Sequence, residues 1–112
     1  MAVLFANNVS TTLAAPVATT DTTIAVTSSS GMPTISSGDY FLLTLENVAG
    51  NLREIVKVTA FTGSTLTVVR AQEGTSALSF SSGDKVELRL TAGGLTNIFT
   101  DITAALQTIN GV

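Results

Sequence analysis

The sequence predicts a mainly β fold, a small antiparallel β-sandwich or barrel-like domain with one C-terminal amphipathic α-helix. Three observations predict it. Arg53–Thr75 has the pattern of two strands joined by a tight turn, with arms rich in Val, Ile and Thr. Lys85–Leu90 alternates charged and apolar residues, as a half-solvated strand does. Apolar residues over Leu95–Ile109 recur instead at steps of three and four, which is typical of an amphipathic helix.

Composition points to a protein that packs against other proteins. The 112 residues suffice for one domain with a modest core, and only 12% of them are charged. Ser and Thr take the place of charges, which suits a surface that stays packed against other proteins better than the surface of a free enzyme. The net charge of -3 disfavours nucleic acid, and no segment has the apolar length of a membrane span. We therefore expect protein partners, and neither nucleic acid nor membrane.

The chain lacks the residues that most catalytic sites need. It contains no histidine and no cysteine, which removes the commonest general base, the commonest metal ligand and any thiolate zinc site. A Ser-His-Asp mechanism is therefore excluded. We expect no enzyme activity, no catalytic residues, no cofactor and no metal.

Residues 1–91 are expected to form the β domain, with an N-terminal arm over about residues 1–15. The arm begins with apolar Val3, Leu4 and Phe5, and we expect these three side chains to contact a partner protein rather than water. Thr22–Val26 is predicted to be a short strand. Tyr40–Leu45 is apolar on both faces at its start, which predicts a central strand.

The hairpin within Arg53–Thr75 is the strongest structural signal. Gly63 lies in its turn and supplies the positive φ that short hairpin loops need. From the alternation of the strands we predict a core composed of the following residues: Leu43, Leu45, Ile55, Val58, Leu66, Val68, Val86, Leu88 and Leu90.

One short motif occurs twice, as Ser36-Ser37-Gly38-Asp39 and Ser81-Ser82-Gly83-Asp84, each time before a strand. The structural interpretation is a turn in which Gly takes a positive φ and the Asp carboxylate accepts backbone N–H groups. The functional alternative makes Asp39 and Asp84 a metal-binding or acid–base pair. We favour the turn, because no third ligand is evident.

Residues 92–112 are predicted to form the C-terminal helix. Thr91 or Thr96 is expected to cap its start, and Gly93-Gly94 to join it to the sheet. The helix either covers one face of the sheet or bundles with copies of itself, and bundling is favoured because its other face has no Lys or Arg. Isoleucine at both kinds of heptad seam position favours a homotrimer. The predicted oligomer interface consists of Leu95, Ile98, Phe99, Ile102, Leu106 and Ile109.

Several segments share their pattern with one group of proteins. They are Phe5-Ala6-Asn7-Asn8, Gly38-Asp39-Tyr40-Phe41, Arg53–Thr59 (REIVKVT), Leu66–Thr75 (LTVVRAQEGT) and Gly83–Ala92 (GDKVELRLTA). This pattern resembles a module in structural virion proteins of tailed bacteriophages, and V-R-x-Q-E-G-T is its most specific part. Such modules stand alone or sit at the N-terminus of tail fibres. The resemblance carries no catalytic residues.

The resemblance implies a role in assembly of the virion after synthesis in the host cytoplasm. We expect a trimeric capsid decoration (cement) protein, because no receptor-binding tip follows the helix. The partners would be the major capsid protein or tail and fibre proteins, contacted through Val3, Leu4 and Phe5. Two alternatives remain: an adaptor that attaches fibres to the tail or fibre base, and a small module that binds carbohydrate or the host surface.

Overall fold

A computed structural model describes residues 3–96 of the chain. Within them, six strands precede one short helix, α1, at residues 92–96. The strands are β1 (Ser10–Thr12), β2 (Thr23–Ala25), β3 (Phe41–Glu46), β4 (Arg53–Thr62), β5 (Thr65–Gln72) and β6 (Lys85–Glu87).

The strands form one antiparallel sheet in the order β1-β6-β3-β4-β5-β2, and this sheet curls into a half-barrel. Its two edge strands approach each other. An antiparallel bridge joins Leu13 to Val26, and the Thr27 N–H donates to the Thr12 carbonyl at 2.8 Å. Curling protects edges that would otherwise be open to pairing with other chains. The predicted mainly β, barrel-like fold class is confirmed.

Strand β3 lies in the middle of the sheet, as its apolar sequence predicts. It pairs with β4 on one side and β6 on the other, and every residue from Phe41 to Glu46 is buried. Successive side chains of a strand point to opposite faces. Phe41, Leu43 and Leu45 belong to the concave inner face, which holds the core, whereas Leu42 and the other alternate residues belong to the outer face.

The core fills the inner face of the half-barrel. Six of the predicted core residues are buried there, and Leu88 is partly buried against them. Ile55 does not join them, because Val56 pairs with Leu43 and so takes the inward position, leaving Ile55 half-buried on the outer face. The buried apolar cluster consists of Val9, Leu13, Val17, Ile24, Val26, Met32, Phe41, Leu43, Leu45, Val56, Val58, Leu66, Val68, Phe80 and Val86.

The prediction for Leu90 is wrong. The strand expected over Lys85–Leu90 ends as β6 at Glu87, and the Leu88 N–H donates to the Val9 carbonyl at 3.1 Å. Beyond this point the chain no longer pairs with β3, and Leu90 is 64% exposed. The alternation continues in the sequence for three residues after the strand has ended.

The repeated Ser-Ser-Gly-Asp motif forms a turn in both places, as predicted. The N–H of each Asp donates to the carbonyl of the first Ser, at 2.9 Å for Asp39 and 3.1 Å for Asp84. Gly38 and Gly83 adopt φ values of 84° and 91°. The Asp84 carboxylate accepts the N–H of Ser81 at 2.8 Å, which gives this carboxylate a structural role.

Candidate functional site

The N-terminal arm lies on the chain's own domain. Val3 forms a parallel bridge with Tyr40, and the Leu4 N–H donates to the Tyr40 carbonyl at 2.7 Å. Leu4 packs against the core, while Val3, Leu4 and Phe5 are each half-buried. The three residues thus keep part of their surface open. Their contact with a virion partner stays a prediction.

The start of α1 meets the arm on the outer face of the sheet. A Cβ atom at Gly94 would lie 3.0 Å from Phe5 Cζ and 3.7 Å from Leu42 Cδ1. Gly94 is buried in this contact, whereas the next residue, Leu95, is 38% exposed. Glycine therefore allows the helix to approach both the sheet and the arm closely, and the arm and the helix start form one surface.

Glu73 and Thr91 hold α1 at its first turn. The Thr91 Oγ1 accepts the Gly94 N–H at 3.0 Å, which confirms Thr91 as the cap, and it donates to Glu73 Oε2. Glu73 Oε1 also accepts the Gly93 N–H at 2.8 Å. Thr96, the other predicted cap, instead donates its hydroxyl to the Ala92 carbonyl. We call the set Glu73, Thr91, Gly93 and Gly94 the joint.

Sequence reasoning missed the part that Glu73 plays in the joint. Glu73 stands 18 residues before Thr91 and occupies the Gln72–Thr75 turn with a φ of 54°. A positive φ is uncommon for Glu and is held here by the contacts around it. A carboxylate at a helix start is favourable, because it meets unpaired N–H groups and the positive end of the helix dipole.

The contact between Gly93 and Glu73 predicts that Gly93→Ala destabilises the wild type but stabilises a variant that lacks the Glu73 carboxylate. An added Cβ would lie 2.7 Å from Glu73 Cδ, so in the wild type it displaces the capping carboxylate and should destabilise the protein by about 1 kcal/mol. In a Glu73→Ala background that obstacle is gone, and Gly93→Ala should stabilise α1 by about 0.5–1 kcal/mol. Urea unfolding of the four proteins in this cycle measures the coupling. Equal effects in both backgrounds would contradict the contact.

Glu54 and Arg70 form a buried ion pair. The Arg70 guanidinium meets the Glu54 carboxylate through two parallel hydrogen bonds, Nε to Oε2 at 2.7 Å and Nη2 to Oε1 at 2.8 Å. Both side chains are buried, at 8% and 0% exposure. Arg70 also donates to the backbone carbonyls of Ala18 at 2.7 Å, Asp21 at 3.0 Å and Leu78 at 2.7 Å. Each guanidinium N–H therefore has an acceptor.

The Glu54 carboxylate is equally well bonded. It accepts the backbone N–H of Ala71 at 3.0 Å and of Leu78 at 2.9 Å in addition to Arg70. Burial acts to raise the pKa of Glu54, but the hydrogen bonds from Arg70, Leu78 and Ala71 outweigh it and hold this pKa below 4.5. A carboxylate with these partners is kept ionised, so the pair is built to join loops rather than to transfer protons.

A second group of charges lies on the outer face. Glu46 binds Arg53 through Oε2 and Arg89 through Oε1, and Arg89 also binds Glu87. Arg89, followed by Arg53, lowers the pKa of Glu46, and Arg89 lowers the pKa of Glu87. Two guanidinium groups thus balance two carboxylates where the chain crosses back over the sheet.

A groove of about 400 Å³ lies beside this crossing. Its walls come from β3 and β4, from the turn after β5 and from the segment that leads into α1. Exposed Leu90 stands at its rim, and its apolar lining includes Ile55 and Ala92. We call it the Leu90 groove.

Most of the predicted oligomer interface falls beyond the described part of the chain. Only Leu95 lies within residues 3–96, while the others, Ile98, Phe99, Ile102, Leu106 and Ile109, lie outside them.

Over residues 3–96, no helix has the length and apolar character needed to cross a membrane, and no cluster of three or more His, Cys, Asp or Glu is arranged to hold a metal ion. Comparison of the sequence with models of known protein families and with curated proteins found no match.

Proposed function

We propose that this protein is a non-enzymatic structural component of a tailed-bacteriophage virion and acts as a homotrimer, as a decoration (cement) protein on the capsid. The sequence resemblance supports the virion role. The low charge of the chain, 12%, and its many hydroxyl side chains suit a surface that stays covered by other proteins. The Glu54–Arg70 pair also supports this role. Arg70 belongs to V-R-x-Q-E-G-T, the most specific segment of the resemblance, and its side chain bonds to Glu54 inside the protein.

The orientation of Leu95 is the observation that carries the trimer. The first turn of α1 faces the sheet with Gly94, while Leu95, the first residue of the predicted seam, is 38% exposed. A helix that covered its own sheet would begin by burying this leucine. The exposure of Leu95 supports the proposal that the apolar stripe predicted through Ile98 and Ile102 packs against other copies.

Sedimentation of the wild type against Ile98→Asp/Ile102→Asp tests the trimer. We expect the wild type to sediment as a trimer and the double variant as a monomer, because two carboxylates in a bundle seam are desolvated without partners. Thr100→Asp/Thr103→Asp adds the same charge on the polar side of the helix that the sequence predicts, and this variant should stay trimeric. The trimer proposal fails if the wild type and the seam variant run as the same monomer.

Labelling of intact particles with an antibody against this chain tests the location. Label over the head supports decoration, and label at the tail or fibre base supports the second candidate, an adaptor for fibres. The adaptor gains support from the contact of Phe5 with Gly94, since it brings the arm and the helix together at one place where a trimeric fibre could attach. Absence of label from purified virions would refute both.

A carbohydrate-binding module is the weakest of the three candidates. Sugar sites rely on open aromatic faces, and Tyr40 is the only tyrosine in the chain. Lys57 Nζ lies 4.6 Å from the centre of its ring, so a cation already occupies one face.

A further inference from the structure

We propose that the end of β4 binds a short, extended and uncharged segment of another protein, which adds to the sheet as a further strand. This contact depends on backbone geometry and not on the virion role or the trimer, so it goes beyond the proposed function. Strand β4 continues for four residues, 59–62, past Val58, which pairs with Phe41 at the start of β3. Within residues 3–96, this end of β4 has β5 as its one strand neighbour.

The hydrogen bonds of β5 show which way the backbone of β4 points. The Val68 N–H donates to the Thr22 carbonyl at 2.8 Å, away from β4. Its neighbour Thr67 therefore faces β4 and exchanges hydrogen bonds with its pairing partner Ala60. Phe61, the next residue of β4, presents its N–H and carbonyl to the side opposite β5. No backbone bond from elsewhere in residues 3–96 reaches them on that side.

Two irregularities in the chain open this side of β4. A β-bulge between Val58 and Ala60 shifts the alternation of β4 by one residue, so that the backbone of Phe61, and not that of Ala60, faces away from β5. The chain before β3 turns off at Asp39, whose N–H donates to the Ser36 carbonyl at 2.9 Å instead of pairing with β4. The first Ser-Ser-Gly-Asp turn thereby leaves a gap where a neighbouring strand would run.

A cavity of about 340 Å³ occupies this gap. Residues 59–61 of β4 form one wall and residues 34–38 form the other, and we call the cavity the β4 slot. Its lining combines hydroxyl side chains with apolar Ile35, Ala60 and Phe61, and none of the lining residues is charged. Backbone groups at an open strand edge bind an extended chain, and an uncharged lining favours an uncharged segment, because a charge there would lose its water without gaining a partner.

A second copy of this chain offers no free strand for the β4 slot within residues 3–96. The outer strands β1 and β2 of its sheet are joined through Leu13 and Val26, and its arm pairs with Tyr40. A copy would have to break one of these contacts to fill the slot, whereas a different protein with an unpaired extended segment would not. The occupant is therefore a segment of a partner protein.

A capped peptide, Thr-Val-Ser-Val-Thr, is the probe for the slot, because it is uncharged and rich in residues that favour an extended backbone. Amide chemical shifts and hydrogen exchange of the protein are measured by NMR during titration with peptide to about 5 mM, since a short strand binds weakly. We expect the Phe61 amide to shift and to become protected from exchange. The Thr67 amide, which already faces Ala60, is the internal control and should keep its exchange rate.

N-methylation of the peptide separates strand addition from capture of an apolar side chain. Methyl groups on every second amide leave one edge of the peptide free, so this peptide should bind as the unmethylated one does. Methyl groups on every amide block both edges and should weaken binding at least about tenfold, through the loss of one or two hydrogen bonds. Equal binding of the fully methylated peptide, or an unchanged Phe61 amide with the unmethylated one, would overturn the strand addition.

Dilution of the protein without peptide tests the other occupant. Protection of the Phe61 amide is expected to stay the same across the dilution series. Protection that falls on dilution would mean that a second copy fills the slot, and it would overturn the assignment to a partner protein. The trimer is tested separately by Ile98→Asp/Ile102→Asp, so its failure and the failure of the β4 slot are distinguishable.

Discussion

Replacing Arg70 with alanine is expected to lower the free energy of unfolding by about 3–5 kcal/mol, because it leaves the Glu54 carboxylate buried without its counter-charge. The same change removes the donor that binds the carbonyls of Ala18, Asp21 and Leu78. Loss of the donor to the part-buried carbonyls of Asp21 and Leu78 adds to the effect. Urea unfolding at neutral pH measures the difference.

Arg53→Ala is the matched control for Arg70→Ala. Arg53 also binds a glutamate, but its side chain is 57% exposed, and Arg89 still binds Glu46 when Arg53 is removed. Exposed pairs contribute little to stability. We therefore expect a much smaller loss for Arg53→Ala. Equal losses for the two variants would contradict the structural role assigned to the buried pair.

The effect of Arg70→Ala should shrink in acid. Hydrogen bonds in the folded protein hold the pKa of Glu54 below its usual value of 4.5 despite burial. A depressed carboxyl pKa contributes stability that is complete above the unfolded pKa and is lost as the pH falls through the folded pKa. The wild type therefore loses this contribution below about pH 4.5. The variant has no guanidinium to keep the carboxyl ionised, so the two unfolding free energies should converge.

Val68→Asp is expected to destabilise the protein by about 4 kcal/mol or more, enough to unfold a domain of ordinary stability. Val68 is 3% exposed in the core of the half-barrel, and a carboxylate there has no partner among the surrounding apolar side chains. Circular dichroism during heating or in urea detects the loss of the fold.

Val69→Asp is the control for this substitution. Val69 is the next residue of β5, but it lies on the opposite face, pairs with Lys57 and is 47% exposed. We expect it to change the unfolding free energy by no more than about 0.5 kcal/mol. If Val69→Asp were the more damaging of the two, Val69 rather than Val68 would face the core, and the assigned faces of β5 would be wrong.

Local signals in the sequence predicted most of the fold. The turn at Gly63, the paired Ser-Ser-Gly-Asp turns and the cap at Thr91 each depend on residues within about four positions of one another, so they are visible without the tertiary structure. The central position of β3 follows from a run of apolar residues that only a strand covered on both faces would carry. The sequence also predicted the Gly93-Gly94 part of the joint, but not Glu73, which is 18 residues away from Thr91.

The alternation of apolar residues by itself did not determine where a strand ends or which face is inward. Ile55 and Leu90 fit the pattern of core residues, yet Ile55 faces outward, because Val56 pairs with Leu43, and Leu90 is exposed, because β6 has ended at Glu87. Pairing between distant strands decides both, and it is not encoded in the spacing of one strand.

The sequence by itself determined a mainly β domain, its turns, the start of its helix and the lack of histidine and cysteine for catalysis. Only the tertiary structure brought Glu54 to Arg70, 16 residues later, and Glu73 to Thr91, 18 residues later. These contacts form because the curled sheet and the crossing over its outer face bring separate turns together. A charged residue in a strand pattern looks the same in the sequence whether it meets solvent or a buried partner, so its role depends on the fold around it.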